Sequence, residues 1–306
     1  MTPAKANVPL GILLAVAGFA CMTTMDSFAK SIAGAWPGTA ISGLRFVIQT
    51  VLLIPIVAWR EGRLVWTTPR MGLQLARAAA LSGASVVFFT AVMLMPLADA
   101  TAVGFLNALL VPILAAIFLG ERVPPGVFVA TIVAFAGVLI VLQPNVLALG
   151  PVALLPLGSA LCFSSYMILN RLSAGLAPAL SMQLIGGALC ALLIGAAAFA
   201  LHLTGLPAFH VGTPSADTLL KVVGMGLFGT TGHVLLFMAA ERAPAPMISP
   251  MIYTQLVLAV IIGWTVFGDA LTPTTAVGVA LIVGCGLYVW RLGLAEERRR
   301  QLAGNA

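Results

Sequence analysis

Residues 118–125 read FLGERVPP, and residues 266–273 read VFGDALTP. Each octet closes an apolar run with a glycine, an acidic residue and a final proline, 148 positions apart. Sliding the chain by 148 carries 93–142 onto 241–290 without a gap. Pro96 then meets Pro244, Phe105 meets Tyr253, Asn107 meets Gln255, and Gly120–Glu121 meets Gly268–Asp269. A slide of 141 does the same for earlier segments, where Cys21 meets Cys162, Lys30 meets Arg171, Gly34 meets Gly175 and Pro37 meets Pro178. One unit is written twice.

Composition says what kind of unit it is. Of 306 residues, 61% are hydrophobic and 8% charged, with a mean hydropathy of +1.10. Soluble domains carry about a quarter charged residues, and no soluble fold of this size hides so much apolar surface. The expectation is an all-α integral membrane protein. The net charge of +6 does not point to nucleic acid, because the basic residues sit in short gaps between apolar runs and not among aromatics on a polar face. Their partner is the lipid bilayer. Cys21, Cys162, Cys190 and Cys285 all lie inside apolar runs without ligand-like spacing, so no metal and no cofactor is expected. The first apolar run continues to Asp26 and Lys30 without a small-residue exit, which argues against a cleaved signal peptide.

A membrane-crossing helix needs roughly 20 apolar residues. Charges and Gly/Pro clusters divide the chain into ten such runs: 10–33, 38–58, 70–94, 97–119, 125–143, 150–172, 178–202, 218–240, 246–267 and 274–291. These runs are too long and too little alternating for membrane strands. With the N-terminus inside, the cytoplasmic segments hold Lys5, Arg60, Arg63, Arg70, Arg122, Arg171, Arg242, Arg291 and Arg298–Arg300, against only Lys30 and Lys221 outside. The positive-inside rule therefore puts both termini in the cytoplasm. Each copy holds five spans, and five is odd, so the second copy enters the bilayer upside down. The loop 203–217, counterpart of the arginine-rich 59–70, has no Lys or Arg at all. The expected layout is ten transmembrane helices as two inverted five-helix repeats, 1–145 and 146–291, with a basic cytoplasmic tail at 292–306. Inverted repeats are a transporter architecture, with the solute site at the repeat interface.

The segment LADATAVGFLNALLVPILAAIFLGERVPPGVFVATIVAFAGVLIVLQP (97–144) resembles the end of an EamA domain of the drug/metabolite transporter superfamily. APAPMISPMIYTQLVLAVIIGWTVFGDALTPTTAVGVALIVGCGLYV (243–289) resembles its second copy, and MDSFAK (25–30) with GLRFVIQTVLLIP (43–55) resembles the opening of the first. The resemblance covers nearly the whole chain. It implies a ten-helix transporter of small organic metabolites in the bacterial inner membrane, with amino-acid exporters as the nearest comparison. Relatives moving riboflavin, nucleosides or other metabolites share the skeleton. Arg45 and Asp26 are replaced by Gly186 and Met167 in the second copy, so whatever they do is done once.

Ionisable groups inside a membrane are costly, at about 2.5 kcal/mol or more near a helix centre. Asp26 and Arg45 lie at similar depths in spans one and two. They are expected either to pair, as a structural ion pair or one that loosens to let Arg45 take a carboxylate, or to face a common cavity. Asn107 and Gln255, accompanied by Phe105 and Tyr253, occupy equivalent positions near the middle of spans four and nine. They could grip the polar and flat parts of a solute or simply hydrogen bond between helices. Tyr166, with Ser164 and Ser165 beside it, is a further candidate for the same cavity. His233 could couple transport to protons or be a hydrogen-bonded structural imidazole. Glu121 and Asp269 each precede a helix start and are expected to sit near its positive N-terminus as structural groups.

No protease, hydrolase or nucleotide-binding motif occurs, so an intramembrane enzyme or a scaffold is the competing reading. The expectation is a secondary active or facilitative carrier, not an enzyme. Its partner is a small-molecule substrate, with export of apolar or aromatic amino acids favoured.

Overall fold

The computed structural model describes residues 7–32, 34–61, 70–94, 100, 103–142, 150–206, 209–267 and 273–304. Gly268, Asp269 and Pro96 lie outside these. Ten long helices run in order: α1 Val8–Ser31, α2 Gly38–Glu61, α3 Met71–Leu94, α4 Asn107–Leu119, α5 Pro125–Leu142, α6 Leu154–Ser173, α7 Ala179–His202, α8 Ala216–Arg242, α9 Thr254–Phe267 and α10 Pro273–Gly304. No strand occurs among the described residues. The repeat is legible in the helix bounds themselves: adding 141 to Gly38–Glu61 gives 179–202, the bounds of α7. The turns before α2 and α7 are copies too, each using a glycine in the left-handed region, Gly34 at φ 80° and Gly175 at φ 78°. Side chains other than glycine strain there.

Among the described residues, seven helices or helix segments are long and apolar enough to cross a bilayer. α4 and α5 are apolar but shorter. α6 falls below that apolarity because it carries Ser159, Ser164, Ser165, Tyr166 and Asn170. α10 continues past residue 291 to Gly304, through the stretch expected as a basic tail.

Packing shows the inversion. α2 lies on its own copy α7, and α5 lies on its own copy α10. Along α2, Gly43 faces Ile194 and Gly195, Gln49 faces Gly187, and Glu61 accepts a hydrogen bond from the Ser181 hydroxyl. Numbers rise on one helix as they fall on the other, so the pair is antiparallel. On α5 and α10, Gly126 meets Tyr288 while Gly137 meets Gly278, again antiparallel. A helix antiparallel to its own copy means that the two units are inverted. The remaining large contacts come in matching pairs: α1 on α8 repeats α3 on α6, and α2 on α8 repeats α3 on α7.

Polarity is inside out relative to a soluble protein. Ile117, Phe118, Leu192 and Leu220 are more than 65% exposed, while Arg45, Gln49, Gln74, Arg77, Gln183 and His233 are buried. The apolar belt faces lipid, and the polar groups face the bundle centre, as intramembrane polar residues do.

Candidate solute site at the repeat interface

The runs 97–119 and 246–267 were expected as continuous helices. Both are interrupted at the same place in the repeat. In the second copy a single turn, Ala245–Ile248, is followed by a 3-10 segment, Ser249–Tyr253, before α9 begins. The cause is Pro250, which has no N–H to give the Pro246 carbonyl; the Ser249 hydroxyl approaches that carbonyl at 3.5 Å. In the first copy the backbone takes three-residue bonds, Ala108 N–H to Phe105 carbonyl at 3.2 Å and Leu109 N–H to Leu106 carbonyl at 3.0 Å. Phe105 and Tyr253, equivalent under the slide, then touch edge to face with centroids 6.0 Å apart.

The carbonyls beside the two breaks are received symmetrically. The Ser164 hydroxyl reaches the Asn107 carbonyl at 3.4 Å, and the Thr23 hydroxyl reaches the Gln255 carbonyl at 3.5 Å. Ser164 and Thr23 are themselves equivalent positions. Both contacts are long for an O–H···O bond, but they mark one arrangement made twice. A 3-10 stretch within a helix frequently marks a hinge or site, and interrupted helices line solute sites in transporters built this way.

A second cluster lies between α2, α3, α6, α7 and α8. The Tyr166 hydroxyl meets His233 Nδ1 at 3.3 Å, both side chains being buried. Arg77, 1% exposed, donates from Nε to Asn170 Oδ1 at 2.9 Å and from its terminal nitrogen to Gln74 Oε1 at 2.5 Å. Its guanidinium also lies 5.1 Å from the Phe237 ring centre. Arg45 stacks at 4.0 Å on Phe46 and points a terminal nitrogen at the Met25 sulfur, 3.3 Å away. Gln49 Nε2 donates to the Gln183 carbonyl at 3.1 Å.

Two small cavities adjoin these groups. One, of about 10 Å³, is bounded by residues including Gln49, Arg77, Tyr166 and Gln183. The other, also about 10 Å³, is bounded by residues including Asn107, Phe163 and Ser249. Each has room for about one water, whereas metabolite pockets span roughly 300–1,000 Å³, so the helices must separate to admit a solute. One end of the bundle is also tied shut. Glu121, after α4, forms an ion pair with Arg171 Nε at 2.7 Å and accepts from the Ala245 N–H at 3.0 Å, while Arg171 donates to the Ala240 carbonyl at 2.7 Å.

The profile of the EamA-like transporter family matches residues 9–143 and again 150–290. The chain belongs to that family. Among relatives of this EamA-like protein, a riboflavin transporter of Brucella anthropi is 26% identical over 277 residues, covering 88% of this chain and 96% of the relative. A riboflavin transporter of Vibrio cholerae is 25% identical and covers 95% of both chains. An S-adenosylmethionine uptake transporter of Rickettsia bellii is 24% identical, covering 89% of this chain and 92% of the relative. A solved crystal structure 22% identical in sequence superposes with a TM-score of 0.80, over 95% of this chain and 99% of the other. That likeness shows the fold. The protein is a multi-pass membrane protein of a transporter family.

Within this EamA-family framework the expected residues divide. Phe105 and Tyr253 come together, as do Tyr166 and His233. Asn107 lines the second cavity, and Gln255 is half-buried; their backbone carbonyls receive the hydroxyls of Ser164 and Thr23 from neighbouring helices. Asp26 and Arg45 do not form an ion pair: Asp26 is exposed, and Arg45 turns to Met25 and Phe46. Equal depth along two helices leaves their rotation open. Ser165 is half-buried and bonds its own helix at Leu161. Glu121 serves not the start of α5 but the turn that begins at Ala245. Arg77, Gln74, Gln49, Asn170 and Gln183 were missed, although an arginine seven residues into an apolar run was a readable sign.

Proposed function

We propose that this protein carries a small, flat-ringed organic metabolite across the bacterial inner membrane by alternating access between its two inverted halves. The observation that carries the reading is the pair of matched helix interruptions, meeting through Phe105 and Tyr253 beside the buried Tyr166–His233 cluster. The aromatic rings suit a planar solute, and the amides and hydroxyls suit its polar edge. Both termini face the cytoplasm in this proposal, and the repeating units run 1–145 and 146–291. The solute-contacting set comprises Asn107, Gln255, Phe105, Tyr253, Tyr166, His233 and Arg45, with exposed Asp26 at its margin.

Riboflavin heads the solutes to be tried, because two relatives carry that name. Export of an aromatic amino acid is a second reading, favoured by the buried Arg45 guanidinium, which suits a carboxylate. The test is flux into proteoliposomes containing this protein alone, without ATP, for riboflavin, S-adenosylmethionine, tryptophan and phenylalanine. Saturable flux of a ringed solute supports the reading, and a pH gradient tests coupling through His233. An impermeable vesicle across the whole panel returns the choice to an intramembrane enzyme or scaffold.

A further inference from the structure

We infer that the solute carries an anionic group, a carboxylate or a phosphate, received by Arg45 and Arg77 on either side of the Tyr166–His233 pair. This rests on the transporter reading. A guanidinium stays charged and can only donate, and burying one without a counter-charge is costly. Arg45 is 5% exposed and Arg77 1%. Among the described residues the ion pairs are Glu121–Arg171, Asp217–Lys221 and Glu241–Arg242, so neither buried arginine has a carboxylate within 4.0 Å. At the end of the bundle the chain pairs its cation with Glu121. At the centre the two cations directly contact only neutral groups, and a single carboxylate, Asp26, lies near Arg45 beyond ion-pair distance.

The neutral partners sharpen the point. Because Arg77 only donates, the oxygens of Gln74 and Asn170 must face it, which fixes both amides. Their nitrogens, Gln74 Nε2 and Asn170 Nδ2, are thereby buried without an acceptor, as are Gln183 Nε2 and the Ser82 hydroxyl. One acceptor nearby, Gln49 Oε1, is also unmatched. Arg45 directly contacts only a sulfur and the face of Phe46, with the Asp26 carboxylate near it but beyond 4.0 Å. The region therefore holds a surplus of donors and positive charge and is short of acceptor oxygens, the complement of an oxyanion. The cavity between α2, α3, α6 and α7 is bordered by Arg77 and by Gln183, and the chain of contacts from Arg45 through Phe46, His233 and Tyr166 to Arg77 joins the two cations.

The experiment compares matched neutral and anionic twins in proteoliposomes holding the full chain: riboflavin against riboflavin 5′-phosphate, and indole-3-propionamide against indole-3-propionate. Half-saturation for the anionic twin is expected to fall at least about tenfold below that of its neutral partner in one pair. The pair that responds tells phosphate from carboxylate. Arg45→Gln and Arg77→Gln each erase that preference, read as the ratio of the two half-saturations within a pair, and Arg45→Lys restores part of it. If a glutamine variant fails to insert, the wild-type comparison decides alone. Saturable flux with no anionic preference in either pair overturns this inference and leaves the transporter reading standing; absence of saturable flux for all four overturns both.

Discussion

Two glycines on α10 give opposite expectations for the same substitution. A methyl group built on Gly278 would sit 2.6 Å from the Gly137 carbonyl oxygen and 2.5 Å from Val141 Cγ2. Backbone cannot yield as a side chain can, so Gly278→Ala forces α5 and α10 apart where a helix meets its own copy. Overpacking of this kind costs about 1–3 kcal/mol, set against a gain of about 0.5–1 kcal/mol from replacing a mid-helix glycine. The net expectation is a loss of roughly 1–2 kcal/mol. Gly284, less than two turns further on, has nothing within 4 Å of the same added atom, so Gly284→Ala keeps only the gain. Thermal unfolding of the two variants in detergent should therefore separate them by about 2 kcal/mol, a few degrees in Tm, with wild type between. Equal Tm values would refute the close antiparallel approach of α5 and α10.

Tyr166→Phe removes the hydroxyl that meets His233 at 3.3 Å and should lower stability by about 0.6–1.7 kcal/mol, read by the same unfolding assay. Asp26→Asn breaks no direct ion pair, because Asp26 lies outside ion-pair range of Arg45, and should shift stability by no more than about 1 kcal/mol, read by the same assay. Glu121→Ala removes both the Arg171 pair and the acceptor for the Ala245 N–H. The loss of about 1 kcal/mol from a part-exposed pair should raise thiol labelling of an Ala240→Cys reporter, buried at 2% exposure, by about fivefold.

The fold was legible because membrane insertion writes itself into composition and because the repeat left matching prolines, glycines and acids 141 and 148 residues apart. Helix bounds followed those marks closely. The site was only half legible. Phe105 and Tyr253 could be paired from the slide alone, since a two-fold brings equivalent residues together at its axis. The helix interruptions were hidden inside apolar runs, where Pro250 is the mark in the second copy and Gly104 the faint sign in the first. Arg45 and Asp26 show the opposite failure: depth along a helix is readable from residue count, but the direction a side chain takes depends on which neighbour the helix packs against. Arg77 was not singled out although it lies two turns inside α3, held by Asn170, 93 residues further along the chain. A contact of that range has no local signature.

Cysteine cross-linking between α2 and α7, in a background free of Cys21, Cys162, Cys190 and Cys285, tests the inverted arrangement most directly. An added Cβ on Gly43 lies 3.8 Å from the Gly195 Cα, within disulfide reach, while Leu184 packs beside Leu53 and Val57, roughly 15 Å or more along the helix from Gly43. Gly43→Cys with Gly195→Cys should form a disulfide in native membranes, and Gly43→Cys with Leu184→Cys should not. Two units inserted the same way up would set residue 43 beside its own counterpart, 184, and reverse the result.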